Sequence, residues 1–335
     1  MKGSGDDSQP TDDGGTGADA TTPDDGAAPG PDGSTTPDGG GSSGIQIIVE
    51  PNGNDGQDVV DAINAAKKSV HMTMYLLTSS DVIKALIARH KAGVDVKVLL
   101  DSSSTTDNTQ VHDQLQSAGV SVAWSSTSFT YTHEKCFIVD GTTAWIMTMN
   151  LTYSSPSSNR EYLAIDTSTT DIAEAESIFE ADFAGNPPNS VSGPLIVAPL
   201  NALPTMQTLI AQAKTSIDIE AEELSDYHVA DALQTALGQG VKVRVVLSDS
   251  TMTQSGQAAV SEIKAAGGKL VTLSNPYVHA KAIVIDGTTA FVGSENLSTG
   301  SLSYNRELGV VFSTTSEVQK VETTISSDFA KGTAL

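Results

Sequence analysis

The chain has 335 residues, 38% of them hydrophobic and 18% charged, enough apolar material for a sizeable core and for about two domains at ~150 residues each. It carries 41 acidic against 18 basic residues, a net charge of −23, which argues against a passive electrostatic grip on nucleic acid, where Lys and Arg must meet phosphates. Its apolar runs fall short of the ~20 residues a membrane-spanning helix needs, and a single cysteine, Cys136, excludes an intrachain disulfide and a four-cysteine zinc site.

Residues 1–44 contain nine Asp, one Lys, twelve glycines and five prolines, and no aromatic residue, Val, Ile or Leu. Nothing there can offset the entropy of ordering the chain, so the segment reads as a disordered acidic tail. It resembles the spacer behind the processing site of exported bacterial proteins and lipoproteins. Met1-Lys2-Gly3-Ser4 is not followed by an apolar stretch, so no signal segment is read in this chain, and an exported or envelope-tethered protein is the expectation. Without the tail the net charge is still −15.

From residue 45 the elements alternate. Apolar spacing through Val59, Val60, Ile63 and Ala66 predicts a helix over Gln57–Lys68. A strand is predicted at Val70–Leu76. Ser80 is placed to cap a helix running to Lys91, and Gly93 to end it. The β-branched run Val94–Leu100 predicts a buried strand. The paired prolines of Asn186-Pro187-Pro188-Asn189-Ser190 mark a joint, and Thr215–Ala221 and Val241–Leu247 repeat the strands of the first part. Strands alternating with helices predict a mixed α/β fold.

The chain repeats itself, and the two halves are 45–190 and 191–335. Asp140-Gly141-Thr142-Thr143-Ala144 returns as Asp286-Gly287-Thr288-Thr289-Ala290, 146 residues later. At the same offset His133 answers His279, Lys135 answers Lys281, Asn150 answers Asn296, and Asn159-Arg160-Glu161 answers Asn305-Arg306-Glu307. In each half His-x-Lys is followed after four residues by Asp (Asp140, Asp286), with Asn seventeen and Glu twenty-eight residues beyond the His. A lone His-x-Lys is usually an accident of a solvated face. Two copies with equal downstream spacings are not. On a strand, period two puts His and Lys on one face.

One His, one Lys, one Asn and one Glu, each present twice, suit phosphoryl transfer. Lys and Asn supply cation and amide donors for non-bridging phosphate oxygens. One imidazole can attack phosphorus while the other protonates the leaving oxygen and then activates water or an alcohol. A Glu behind each His would fix its tautomer. The lysines provide positive charge, so neither metal nor cofactor is implied.

These duplicated signatures resemble those of the phospholipase D superfamily, over essentially all of 45–335. The resemblance implies a pseudo-symmetric two-repeat α/β fold, two face-to-face mixed sheets flanked by helices, with one active site between them. It places that site on His133, Lys135, Asn150, Glu161, His279, Lys281, Asn296 and Glu307, with His133 as nucleophile and His279 as general acid/base. Thr148 and Ser294 are supporting hydroxyls, and Asp140 and Asp286 are expected to make turn and strand-edge hydrogen bonds. Gly293 of the second copy is replaced by Met147 in the first, which would alter backbone approach to the phosphate on that side. The implied reaction is hydrolysis or transphosphatidylation of a glycerophospholipid at a membrane surface, by a monomer, since both motifs lie in one chain. A nuclease of the same superfamily is the alternative, disfavoured by the acidic charge; a non-catalytic envelope- or lipid-binding module is a third reading.

Four remaining features are assigned to packing or surface. His71, His90, His112 and His228 lack repeat partners. Met72 and Met74 are core filler, and Cys136 is a buried inert thiol. Asp218, Glu220 and Glu222 alternate in the places of His71, Thr73 and Tyr75; a solvated face is favoured for them over an acidic mouth for a cationic head group.

Overall fold

A computed structural model describes residues 44–249 and 253–335. The tail expected over 1–44 thus falls almost wholly outside the described residues. The first repeat runs β1 (Gln46–Glu50), α1 (Gln57–Ala65), β2 (Ser69–Met74), α2 (Ser80–Lys91), β3 (Asp95–Leu100), α3 (Thr105–Ser117) and β4 (Ser121–Trp124). It continues with β5 (Lys135–Val139), β6 (Thr143–Met147), α4 (Ser155–Ser158), β7 (Asn159–Asp166) and α5 (Thr169–Phe183). The second runs β8 (Ile196–Ala198), α6 (Ala202–Ala211), β9 (Ser216–Ala221), α7 (Tyr227–Gly238), β10 (Lys242–Ser248), α8 (Gln254–Ala265) and β11 (Lys269–Leu273). It closes with β12 (Tyr277–Val278), β13 (Lys281–Ile285), β14 (Thr289–Gly293), α9 (Thr299–Ser303), β15 (Glu307–Phe312), α10 (Thr315–Lys331) and β16 (Thr333–Ala334).

Local signals explain most boundaries. Helix α1 stops at Ala65, three residues before the sequence reading, because Ala66 already has an extended ψ of 138°. Ser79, not Ser80, is the N-cap residue of α2. The turn after that helix is closed by Gly93 at φ 88°, a conformation that glycine adopts without a Cβ clash.

Each repeat builds one mixed sheet of matching order. The first is β1-β7-β6-β5-β2-β3-β4, with β12 added beside β7; the second is β16-β11-β10-β9-β13-β14-β15-β8. In both, the first three strands linked by helices (β2, β3, β4 and β9, β10, β11) are parallel, and the rest of the ladder is antiparallel except for β12, which runs parallel to β7. A core shared by both repeats lies between the sheets, with Ile138, Ile146, Tyr162 and Ala164 on one side and Ala282, Val284, Val292 and Val310 on the other. Ile172 and Ile178 of α5 and Val318, Val321 and Ile325 of α10 join this central core. Each sheet also has its own outer core, where α1 and α2 or α6 and α7 pack on the opposite face.

Two crossed ion pairs tie the repeats together. Arg160 of β7 pairs with Asp328 of α10, and its Nη1 donates to the Glu50 carbonyl at 2.7 Å. Arg306, fully buried next to β15, lies 2.8 Å from Asp182 of α5 and donates to the Ala198 carbonyl at 3.0 Å. The Phe129 ring covers its guanidinium at 4.4 Å. The Arg of each Asn-Arg-Glu triplet is therefore an anchor onto the other repeat's long helix. Among the described residues no helix is long and apolar enough to cross a membrane.

Candidate active site

The motif strands begin at the lysines, not at the histidines: β5 starts at Lys135 and β13 at Lys281. Each histidine sits just ahead, on a segment paired with the opposite repeat. Thr132 bridges Arg306, and the Arg306 carbonyl accepts from the backbone N–H groups of His133 and Glu134 at 2.9 and 3.0 Å. In the same way β12 lies beside β7, and His279 N–H donates to the Arg160 carbonyl at 3.3 Å. The period-two reading of His and Lys on one strand face is thus corrected: inter-repeat pairing, rather than the ladder of its own sheet, sets each histidine. Asp101 adds a further hold by accepting from Thr132 N–H at 2.6 Å.

That pairing crosses the carboxylates over. His133 Nδ1 lies 3.0 and 3.1 Å from the two oxygens of Glu307 in the second repeat. His279 Nδ1 lies 2.9 and 3.0 Å from those of Glu161 in the first. With Nδ1–H donated to a carboxylate, Nε2 is the nitrogen each ring keeps for chemistry, as a lone pair that attacks or as an N–H that donates. Both glutamates are fully buried and held by their own triplet asparagines, Asn159 and Asn305, at 3.1 Å. Ser301 Oγ donates to Glu307 at 2.7 Å, and Thr148 Oγ1 donates to Glu161.

Burial lowers the pKa of His133, against the opposing pull of Glu307, and the Lys135 and Lys281 charges lower it further, so its neutral form is favoured. Burial likewise brings the Lys135 ammonium down to about 7. Glu307 is the reverse case: burial would raise it, but His133 and Lys135 hold it below the ordinary value. The Lys281 charge, from the other repeat, also lowers both His133 and Lys135.

Lys135 Nζ donates to the His133 carbonyl and sits 4.8 Å from the centre of the Tyr75 ring. Lys281 Nζ donates to the His279 carbonyl at 2.7 Å and to Glu222 Oε2 at 2.7 Å. Asn150 and Asn296 each keep a buried side-chain oxygen without a partner. The two ammonium groups, with Asn296 Nδ2 3.4 Å from the Glu222 carboxylate that Lys281 also meets, make a cradle of donors suited to phosphate oxygens.

The supporting residues work through backbone and packing. Tyr162 N–H donates to Thr148 Oγ1 at 2.9 Å, and Leu308 N–H to Ser294 Oγ at 3.1 Å, which fixes β6 against β7 and β14 against β15. Asp140 accepts from the N–H groups of Lys67, Lys68 and Ser69, and Asp286 from those of Lys214, Thr215 and Ser216. Neither belongs to the cradle. Gly293 is required by packing: a Cβ there would meet Glu295 Oε2 at 2.2 Å and Gly309 Cα at 2.6 Å. The Gly-to-Met difference between the copies therefore reflects strand contact, with Met147 filling the outer core of its own sheet.

The reading of Asp218, Glu220 and Glu222 as a solvated face fails. Asp218 is buried against Arg244, with contacts of 2.6 and 2.8 Å. Glu220 is fully buried, accepts from Tyr162 Oη at 2.6 Å, and is pushed by burial up to about 8. Only Glu222, one residue past β9, reaches the cradle. Outside it, His71, Glu176 and Glu180 bring ligand atoms within 4.8 Å of one another, a grouping that could hold a cation, but Lys97 Nζ already sits 2.6 Å from Glu180.

The sequence reading set Tyr75 against Glu222 by repeat alignment but gave Tyr75 no role, and it missed Tyr131, Tyr277, Asp101 and the crossing of the carboxylates. Repeat alignment could not have shown which Glu meets which His.

A family model described as "Cardiolipin synthase, PLD-like domain" matches residues 59–183 and again 206–329. The cardiolipin synthase of Clostridium perfringens strain SM101 is 24% identical over 310 residues, a match covering 76% of this chain and 64% of that protein. The chain thus spans a little under two thirds of the length of that curated relative. Among solved structures, the phosphatidylserine synthase of Haemophilus influenzae matches with a TM-score of 0.65 at 11% identity, covering 88% of each chain. The polyphosphate kinase of Porphyromonas gingivalis matches with a TM-score of 0.65 at 15% identity, covering 84% of this chain and 50% of its own. At these identities the two structures attest the fold.

Proposed function

The chain belongs to the phospholipase D superfamily through two copies of its domain, and from that premise we propose that it is a metal-independent phosphodiesterase acting on glycerophospholipids through a phosphohistidine intermediate. The observation that carries this reading is the crossed arrangement of two histidines, each backed by a buried glutamate of the other repeat. His133 is taken as the nucleophile, as the family resemblance implies, and burial favours its neutral form. Its Nε2 lone pair forms the N–P bond while the P–O bond to the alcohol breaks, and the departing oxygen takes a proton from His279 Nε2. Water or a second alcohol then gives its proton to His279 and attacks phosphorus, and the P–N bond returns its electron pair to His133. Water yields the phosphomonoester; an alcohol yields a new diester.

Lys135, Lys281, Asn150 and Asn296 hold the phosphate oxygens as charge develops on them. A lipid substrate accords with the cardiolipin synthase relatives and with a folded part still bearing a net charge of −15, which suits a polynucleotide poorly. The acidic Gly/Asp/Thr/Pro-rich first 44 residues support an exported or envelope-tethered location. The test is incubation with chelator present, offering mixed-micelle phospholipid and single-stranded DNA in parallel. Release of the lipid head alcohol without DNA cleavage is the expected result; DNA cleavage alone transfers the protein to the superfamily's nucleases, and turnover of neither, by a folded chain, to binding modules.

A further inference from the structure

The two halves of the cradle are not alike, and the difference lies at one pair of equivalent positions. Tyr75 follows the last residue of β2, opposite Lys135, and its N–H donates to the Glu134 carbonyl at 3.1 Å. Glu222 follows the last residue of β9, opposite Lys281, and its N–H donates to the Ala280 carbonyl at 2.9 Å. The backbones are the same; the side chains are a ring and a carboxylate.

On the first side the Tyr75 ring packs 4.6 Å from the His133 ring, with Tyr131 edge-on to it at 6.0 Å. On the second, Glu222 Oε2 lies 2.7 Å from Lys281 Nζ, 3.4 Å from Asn296 Nδ2 and 3.6 Å from His279 Nε2, and Oε1 accepts from Tyr277 Oη at 2.8 Å. Burial would raise the Glu222 pKa, but Lys281 and His279 hold it well below the ordinary value, so it is a carboxylate. In an in-line displacement the attacking and departing atoms lie on opposite sides of phosphorus. With His133 attacking, the departing alcohol leaves on the side of His279 and Glu222, and an accepting alcohol enters there.

We propose that Glu222 is the specificity-determining residue for that alcohol, selecting phosphodiesters whose alcohol bears a second hydrogen-bond donor, a hydroxyl or a primary ammonium. The inference rests on the phosphodiesterase reading above. A carboxylate only accepts, so the group it meets must donate. Paired with Lys281 and Tyr277, the carboxylate still has acceptor lone pairs for a donor; an alkyl tail offers it nothing, and the next phosphate of a polynucleotide would meet like charge. The Tyr75 side offers aromatic faces to the part retained on His133.

The test compares kcat/KM for hydrolysis of phosphatidylglycerol, phosphatidylethanolamine and phosphatidyl-1-propanol in the same detergent micelles, for the full chain and for Glu222→Gln and Glu222→Ala. The expected result is a preference for the first two over the propanol diester in the unaltered chain, on the order of tenfold to a hundredfold for one hydrogen bond to a charged group. Both variants should reduce that ratio about tenfold or more, whatever change all three substrates share. Turnover without a preference, or a ratio the variants leave in place, overturns the inference and spares the phosphodiesterase reading. Absence of turnover of all three by the folded, unaltered chain overturns that reading and the inference with it.

Discussion

Glu307 faces His133 Nδ1 with both carboxylate oxygens, at 3.0 and 3.1 Å, across 174 residues of chain and from the other repeat. Such a carboxylate fixes the tautomer and stabilises imidazolium as it forms. Glu307→Gln keeps the volume and loses the charge, so it should lower kcat by ~10²–10⁴ with KM nearly unchanged. Steady-state kinetics on micellar phospholipid, beside a circular-dichroism check of the fold, measure this. A wild-type kcat in the Gln variant would remove Glu307 from the mechanism.

The pH profile of kcat/KM should be narrow. Activity needs His133 neutral and Lys135 charged. Burial first, then the two lysine charges, lower the His133 pKa, so the acid limb should fall below 6.5. Burial brings Lys135 to about 7, so the alkaline limb should start there, well below the ordinary 10.5. Arginine stays protonated throughout. Lys135→Arg should therefore move the alkaline limb upward, even at reduced activity. An unmoved limb would assign it to another group.

The repeats should unfold as one unit because Arg306–Asp182 and Arg160–Asp328 cross between them. Removing one member of a buried pair leaves the other charge uncompensated, at a cost of ~3–5 kcal/mol. Asp182→Ala should thus lower the urea midpoint strongly, while Arg306→Met combined with Asp182→Leu should recover part of the loss. Single-variant midpoints equal to wild type would show that the pairs do not stabilise the fold.

Asp140 and Asp286 test a structural role set apart from chemistry. Both have left-handed backbones, at φ 56° and 54°, and each carboxylate caps a neighbouring chain turn. Burial raises the Asp286 pKa, but the N–H groups of Ser216, Thr215 and Lys214 together outweigh it and bring the value down to about 2. A depressed folded pKa contributes stability that is full above the unfolded value near ~3.9 and lost as pH falls through the folded one. Asp286→Ala should therefore destabilise at pH 7, Asp286→Asn less, since Asn tolerates the left-handed conformation. The gap to wild type should close as pH drops toward 2. A gap independent of pH would mean that the backbone conformation alone matters.

Much of this was legible in the chain because it is written twice. The 146-residue offset pairs His133 with His279 and Asp140 with Asp286 without reference to structure. Alternating β-branched runs then give the strands. What local pattern does not encode is contact between distant segments. The histidines leave the strand ladder because Arg306 and Arg160 carbonyls of the opposite repeat hold their backbones. Asp218 and Glu220 look solvated by alternation, yet the face they occupy is covered by the other repeat and α10, with Tyr162 and Arg244 as partners. The same alternation cannot distinguish a carboxylate aimed at Lys281 from one aimed at water.

The central claim is a covalent bond between His133 and phosphorus. Rapid acid-free quenching of the chain with ³²P-labelled phospholipid, followed by peptide mapping, tests it directly. The account predicts label on the peptide containing His133, accumulated in His279→Asn and missing in His133→Asn. Label on His279 alone would reverse the assignment of the two imidazoles, and turnover with no labelled histidine in either protein would contradict the mechanism.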